Sequence, residues 1–257
     1  MASSYFRTVS IIWPPWELRS HKSSISLIIY PAKLFLLSGI FTHIMITFTV
    51  ISACMMTFDC WDFLPTISYI GYFKGYDRIF VLTLSAFNPV LLLFFSAAFA
   101  NYDATLSKID SITMLFTGII ISFAVPFAFI IDEAGSSFYV PLEQVHLVIV
   151  AGMIMLGMIW VTISLKCMYK LKNYSLKQSR ILQNFLIYLG VCLSMLLITI
   201  CLWYNSANIT IEWIEAIFEY IAVSLSIYLP FAYSLSFQVT KITISVRSLN
   251  HSLLSSS

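Results

Sequence analysis

Long apolar runs occur six times along this 257-residue chain, and short polar segments separate them. Each run contains about 20 mostly apolar residues, which is the length that an α-helix needs to cross the hydrocarbon core of a bilayer. The runs cover residues 34–56, 79–100, 110–131, 145–168, 182–204 and 214–237. Because a backbone in lipid must satisfy its own hydrogen bonds, continuous runs of this length predict helices and not barrel strands. The predicted fold class is therefore all-α, a polytopic membrane protein with six transmembrane helices.

The composition agrees with a membrane environment. Hydrophobic residues make up 60% of the chain, charged residues only 10%, and the mean hydropathy is +0.90. Soluble domains carry about 25% charged residues. The first run is longer than the apolar region of a signal peptide, so it predicts an uncleaved anchor. No basic arm or nucleic-acid module is present, and we do not expect a nucleic-acid partner.

The basic residues predict the orientation of the six spans. Only Lys74 and Arg78 fall on one side; the other 12 of the 14 Lys and Arg fall on the opposite side. These are Arg7, Arg19, Lys22, Lys33, Lys108, Lys166, Lys170, Lys172, Lys177, Arg180, Lys241 and Arg247. Since basic loops stay in the cytosol, both termini and the Lys170–Arg180 loop are predicted to be cytosolic.

This topology predicts a single integral-membrane domain over residues 1–257. It comprises a cytosolic N-terminal segment (about 1–28), a six-helix bundle (about 34–237) and a cytosolic tail (about 238–257). The sequon at Asn208 falls on the lumenal side and is a glycosylation candidate. Near the same side, a Cys54–Cys60 bridge and a Cys60–Cys201 bridge are both open alternatives to free thiols.

Polar residues inside the spans suggest a site near the lumenal side. A charged group there costs roughly 2.5–3.5 kcal/mol on insertion scales, and Glu219 lies more than one turn into the sixth span. Glu143 and His146 are three residues apart at the start of the fourth span, a spacing that suits a carboxylate–imidazole pair. A solvated helix cap explains the same pattern, and both interpretations stay open. Pro89 and Pro126 interrupt two spans, which is compatible with an internal cleft or with ordinary packing.

Established catalytic signatures are missing from the sequence. We find no nucleophile elbow, zinc-protease motif, P-loop or dinucleotide fingerprint. No Cys or His spacing suggests a metal site, and no cofactor is evident. Gly152 and Gly157 do not have the GxxxG spacing, although either could allow two helices to approach closely.

A run after the first span carries a family resemblance. It reads Leu64-Pro65-Thr66-Ile67-Ser68, and together with the six-span layout it resembles the DRAM-like superfamily. Two further elements are similar to the branch that contains the post-GPI-attachment factor of GPI lipid remodelling. They are Glu143-Gln-Val-His146 and Phe218-Glu219-Tyr220. The chain departs from that branch at Asn88 and Val90, which flank Pro89 where the branch has His and Arg, so it resembles a divergent member.

The resemblance implies a Golgi or ER membrane protein that remodels GPI-anchor lipids, at the reacylation of lyso-GPI-anchored proteins. The partners that it implies are membrane lipids and GPI-anchored proteins. The sequence does not identify the acyl donor. His146, Glu143 and Glu219 are then the catalytic candidates, with Pro65, Ser68 and Asn88 as candidates for lipid contact. Whether the chain is itself an acyltransferase or an accessory factor stays open.

Two other classes of function stay open as well. The DRAM-like resemblance also fits a modulator of membrane trafficking or autophagy without catalysis, in lysosomal or plasma membranes. A chemoreceptor is the other class, since small aromatic-rich multipass chains are often receptors. A seven-helix receptor has its termini on opposite sides, whereas six spans put them on the same side.

Overall fold

A computed structural model describes residues 16–21, 24–60, 64–71, 73, 75–103, 105–134, 142–170, 176–206, 209–236 and 242–247. The described elements are β1 (Trp16–His21), β2 (Ser24–Ile29), α1 (Pro31–Met56), α2 (Ile67–Gly71), α3 (Tyr76–Tyr102), α4 (Lys108–Ala134), α5 (Leu142–Lys170), α6 (Leu176–Ser206), α7 (Ile209–Ser236) and β3 (Ile242–Arg247). All of these helices except α2 are long and apolar enough to span a membrane. The prediction of six transmembrane helices is confirmed, and each helix extends beyond its predicted span by a few residues at most ends.

The six long helices form a ring. Each long helix packs on the next long helix in chain order, and α7 packs on α1 to close the circle. The short α2 is not part of this ring. Pro89, Pro126 and Pro230 lie inside α3, α4 and α7, and none of them ends its helix. This arrangement leaves the inward faces of six helices around one central space.

The outward faces of the helices are apolar and exposed. Leu82 is 70% exposed and Val148 is 71% exposed, and Phe41, Phe48 and Phe116 are each more than half exposed. An apolar surface of this extent would be unstable in water, so it is the lipid-facing surface of the ring. Hydroxyl groups in the spans bond to carbonyls of their own helix, as Thr49 Oγ1 does to Met45 O at 2.8 Å. Such bonds remove the cost of a polar group in lipid.

One close helix contact depends on a glycine. A Cβ atom at Gly118 of α4 would lie 2.6 Å from the Phe95 ring of α3 and 2.9 Å from the Phe95 Cβ. At Gly157 the nearest atom is Leu193 Cδ1 at 3.2 Å, and at Gly152 no atom lies within 4 Å. Close approach is therefore found at Gly157, as the sequence allows, but the closest of the glycine contacts is at Gly118.

The α2 segment and a disulfide occupy one end of the ring. Cys54, near the end of α1, is bonded to Cys60 in the loop that follows. This selects the Cys54–Cys60 alternative, and Cys201 lies outside the bridge. The α2 helix contacts α1, α3, α4 and α7. It therefore sits across the mouth of the ring, which we term the capped end.

The opposite end carries a three-stranded antiparallel sheet in the order β1-β2-β3. Its strands come from the segments before α1 and after α7, and Ile29 of β2 is paired with Ile242 of β3. The two terminal segments therefore meet at one end of the ring, as an even number of spans requires. Sequence patterns do not predict this sheet, because β2 and β3 are separated by more than 200 residues. The predicted cytosolic location of this end stays a prediction of the positive-inside rule.

Candidate functional site

An internal cavity of about 230 Å³ lies within the ring. Its wall runs along α3 from Phe80 to Phe95 and along α5 from His146 to Val161. At 1.5 Å per residue, each of these stretches covers about 22 Å of membrane depth. Since the hydrocarbon core is about 30 Å thick, the cavity extends further than the acyl region of a single leaflet.

The lining is apolar along most of this length and polar towards the capped end. Aliphatic and aromatic side chains from all six long helices form most of the wall. Ser68, His146 and Glu219 also line it, and they come from α2, α5 and α7. One further polar residue of the lining, Ser226, lies two turns beyond Glu219 on α7. A narrow apolar space with a few polar groups gathered in one region is typical of a site for an amphipathic ligand.

Glu219 is a buried carboxylate of this region, with 8% of its surface exposed. It lies ten residues into α7, about 15 Å along the helix. Its Oε2 accepts a hydrogen bond from the Ile67 backbone N–H at 2.5 Å. Its Oε1 accepts bonds from the Ser68 backbone N–H at 3.2 Å and from Ser68 Oγ at 2.5 Å. The first N–H groups of a helix have no partner within that helix, so Glu219 caps α2 with its side chain.

The neighbouring residue fixes the loop that leads into α2. Tyr220 Oη donates a hydrogen bond to the Pro65 carbonyl oxygen at 2.9 Å. Thr66 Oγ1 accepts a bond from the Tyr69 backbone N–H at 2.9 Å, which is a local N-terminal cap. Pro65, Ile67 and α2 thus depend on two adjacent residues of α7. Glu219 and Tyr220 of α7 therefore contact the segment from Pro65 to Ser68 directly.

His146 reaches the cavity from the first turns of α5. Its Nδ1 lies 3.0 Å from the carbonyl oxygen of Ala128 in α4. Because a carbonyl only accepts, Nδ1 carries the hydrogen in this bond, and Nε2 of the neutral ring is the basic nitrogen. His146 and Glu219 line the same cavity. The polar region therefore combines a fixed imidazole with a fixed carboxylate.

Aromatic rings close the cavity on the side of the sheet. The Phe94 ring centroid lies 5.4 Å from those of Trp160 and Tyr233, and Phe95 lies 5.4 Å from Trp160. Tyr233 Oη in turn accepts a hydrogen bond from Asn101 Nδ2 at 2.7 Å. These contacts join α3, α5 and α7 across the ring. They end the cavity well before the sheet.

The predicted site residues in the described part of the chain divide into three groups. Ser68, His146 and Glu219 come together at the cavity, although they are up to 151 residues apart. Pro65 is buried beside them and takes part through its carbonyl oxygen. Asn88 is not part of the cavity lining, and its buried Oδ1 has no hydrogen-bond partner among the described residues.

Two predicted residues lie outside the described part of the chain. They are Asn208 and the side chain of Glu143, so glycosylation and the orientation of His146 by Glu143 stay predictions. Within the described residues, the Ala128 carbonyl is one group that orients His146. Residue patterns alone do not predict this contact, because every residue has a backbone carbonyl and the residue type does not indicate which one accepts the bond.

Comparisons with protein-family models, with curated proteins and with solved structures give no significant match for this chain. Among the described residues, no group of three or more His, Cys, Asp or Glu could hold a metal ion.

Proposed function

We propose that the chain is a GPI-anchor lipid-remodelling factor of the secretory pathway. In this proposal it assists or performs the reacylation of lyso-GPI-anchored proteins in the Golgi or ER membrane. The observation that supports it is the apolar cavity with Ser68, His146 and Glu219 gathered in its polar region. The family resemblance supplies the substrate, and the geometry supplies a compatible binding mode.

The size of the cavity favours a single acyl chain as its occupant. An apolar protein cavity of about 150 Å³ can hold benzene. A volume of about 230 Å³ is thus sufficient for part of one hydrocarbon chain, whereas a two-chain lipid would need the helices to separate. Reacylation handles one chain at a time, in agreement with this limit. The acyl chain would lie along α3 and α5, with its carbonyl group near Ser68.

In the catalytic form of the proposal, His146 is the general base. Its Nε2 takes the proton from the free hydroxyl of lyso-GPI as that oxygen attacks the carbonyl of an acyl thioester or acyl ester. A new ester bond forms, the bond between the acyl group and its carrier breaks, and the proton passes to the carrier's thiol or alcohol. Glu219 is a positioning residue in this scheme, because its hydrogen bonds hold Ser68 and α2 in place.

In the accessory form, the same cavity holds an acyl chain for a separate enzyme. The polar region then fixes the chain's carbonyl end and carries out no proton transfer. Replacing His146 distinguishes the two forms, because only the catalytic form needs a basic nitrogen at this position.

Mass spectrometry of GPI-anchor lipids, in cells lacking this protein and in cells that re-express it, tests the proposal. Loss of the protein is expected to alter the fatty chains of the anchors, and the wild-type chain is expected to restore them. Unchanged anchor lipids after its loss would reject the function.

The variant His146→Ala tests the catalytic form in the same assay. It is expected not to restore the anchors, whereas His43→Ala is expected to restore them. His43 is a matched control, because it also lies within a span but packs beside Tyr228 and does not line the cavity. Full restoration by His146→Ala would leave only the accessory form.

A further inference from the structure

The sheet at the end opposite α2 has two chemically different faces. Alternate residues of a strand lie on opposite faces of a sheet, and directly paired residues share a face. The register pairs Trp16 with Ile29 and Ile29 with Ile242, and it continues in steps of two. One face therefore holds Trp16, Leu18, Ser20, Ile25, Leu27, Ile29, Ile242, Ile244 and Val246. All of these except Ser20 are apolar, and we call this set the apolar face.

The other face is polar and carries the basic residues. It holds Glu17, Arg19, His21, Ser24, Ser26, Ile28, Thr243, Ser245 and Arg247, of which only Ile28 is apolar. The division is consistent across three strands from two distant parts of the chain. Such a pattern indicates that the two faces of the sheet lie in different surroundings.

The sheet is held close to the membrane boundary. Only Tyr30 separates the end of β2 at Ile29 from the start of α1 at Pro31. One linking residue spans about 7 Å at most between its neighbours. The Lys33 ammonium lies 5.3 Å from the centre of the Tyr30 ring, and tyrosine and lysine are typical of the headgroup level. The sheet therefore begins at that level.

Its dimensions argue against a second protein copy as the partner of the apolar face. Three strands about 4.8 Å apart and six residues long, at about 3.3 Å per residue, give a face of roughly 280 Å². A stable protein interface buries about 800 Å² on each partner. Binding to a membrane does not require a buried area of this size here, because the sheet is covalently joined to α1 and α1 already holds it beside the bilayer.

We propose that the sheet lies flat on the bilayer surface, with its apolar face in the interfacial region of the lipid. Trp16 is on this face and is 46% exposed in the protein alone, as expected for an interfacial tryptophan. The sheet thus fixes the ends of α1 and α7, the two helices that close the ring.

The test uses spin labels at adjacent positions of one strand. Leu27→Cys places a label on the apolar face and Ser26→Cys places one on the polar face, in a full-length chain with Cys167, Cys192 and Cys201 replaced by serine. The protein is reconstituted in bilayers of phosphatidylcholine and phosphatidylserine. The accessibility of each label to oxygen, which partitions into lipid, is compared with its accessibility to a water-soluble nickel chelate. Ile244→Cys and Thr243→Cys form a second pair in β3, in case a substitution in β2 prevents folding.

The proposal predicts an oxygen-to-nickel accessibility ratio several-fold higher at position 27 than at position 26, and likewise at 244 compared with 243. Equal exposure of both positions to nickel would place the whole sheet in water and overturn the proposal. Protection of position 27 from both reagents would mean that protein, from the same chain or a second copy, covers the apolar face. That result would also overturn it, and neither result would bear on the proposed lipid remodelling.

Discussion

Glu219 and Ser68 are joined by hydrogen bonds from both the backbone N–H and the hydroxyl of Ser68 to the same carboxylate oxygen. The two residues are 151 positions apart in the chain. This contact fastens α2, which lies across the mouth of the ring, to a point about 15 Å along α7. It also explains how a carboxylate is tolerated within a span, because its oxygens have donors from α2 in place of water.

Replacement of Glu219 by Gln is expected to loosen this cap. The amide has one acceptor oxygen instead of two, so its NH₂ group faces an N–H of Ile67 or Ser68. A hydrogen bond to a charged group contributes about 1.5–3 kcal/mol, and a loss in this range is expected for the variant. The measurement is the thermal unfolding midpoint of the purified protein in detergent.

The matched control is Glu215→Gln, one turn earlier on the same helix. No hydrogen bond joins Glu215 to the described residues of α2, and like charges four residues apart on a helix repel each other. The unfolding midpoint of this variant is therefore expected not to fall below that of the wild type. Equal midpoints for Glu219→Gln and the wild type would show that the carboxylate does not hold α2.

Tyr220→Phe tests the second link between α7 and the loop. It removes only the hydroxyl that donates to the Pro65 carbonyl, and the ring is retained. A neutral hydrogen bond contributes about 0.5–1.5 kcal/mol, so this variant is expected to be less destabilised than Glu219→Gln. Hydrogen exchange of the amides of residues 66–71 would measure the same loosening locally. A larger loss of stability than that of Glu219→Gln would reverse the ranking of the two contacts.

Gly118→Ala is expected to destabilise the packing of α3 on α4. Alanine is favoured over glycine in a helix by about 1 kcal/mol, but its Cβ would lie 2.6 Å from the Phe95 ring. Overpacking of this kind costs about 1–3 kcal/mol, and the contact includes Phe95 Cβ, which a rotamer change cannot move. Gly152→Ala is the control, since no atom lies within 4 Å of its added Cβ. A lower unfolding midpoint is expected for the first variant only; equal midpoints for the two would contradict the contact.

The orientation of the ring is tested by a reporter between Lys170 and Leu176, where α5 ends and α6 begins. The positive-inside rule predicts that this connection is cytosolic, so an inserted glycosylation site there is expected to stay unmodified. The same site inserted beside Gly75, at the capped end, is expected to be glycosylated. The Cys54–Cys60 bridge at that end agrees with an oxidising compartment. The reverse pattern of modification would place the polar region of the cavity in the cytosol.

The six spans could be predicted from the sequence because the requirement for an apolar run of about 20 residues is local. The gathering of Ser68, His146 and Glu219 was expected only at the level of membrane depth and family resemblance. The position of a residue within its span predicts its depth in the membrane, but it does not predict which residues of other spans it contacts. That Glu219 caps α2 depends on how far α2 enters the ring, and no local pattern records this.

Other features could not be predicted because their partners are distant in sequence or are backbone atoms. Each strand of the sheet has only six residues, and its pairing joins segments that precede α1 and follow α7. The bond from His146 to the Ala128 carbonyl has no sequence signature. Gly118 and Ser122 have small-xxx-small spacing, but this pattern does not say which helix approaches. The close contact with Phe95 depends on the path of α4 beside α3.

The central proposal, that the cavity holds an acyl chain, predicts that a larger side chain inside it displaces lipid. Ala222 lines the cavity and is 3% exposed, so Ala222→Phe would occupy part of its volume. Ala86→Phe makes the same change on an exposed position of α3, and it is the matched control.

Native mass spectrometry of the three purified proteins measures the lipid that remains bound. We expect a single-chain lipid or fatty acyl group on the wild type and on Ala86→Phe, and little or none on folded Ala222→Phe. Equal retention of lipid by Ala222→Phe and Ala86→Phe, or no acyl lipid on the wild type, would contradict an acyl-binding cavity.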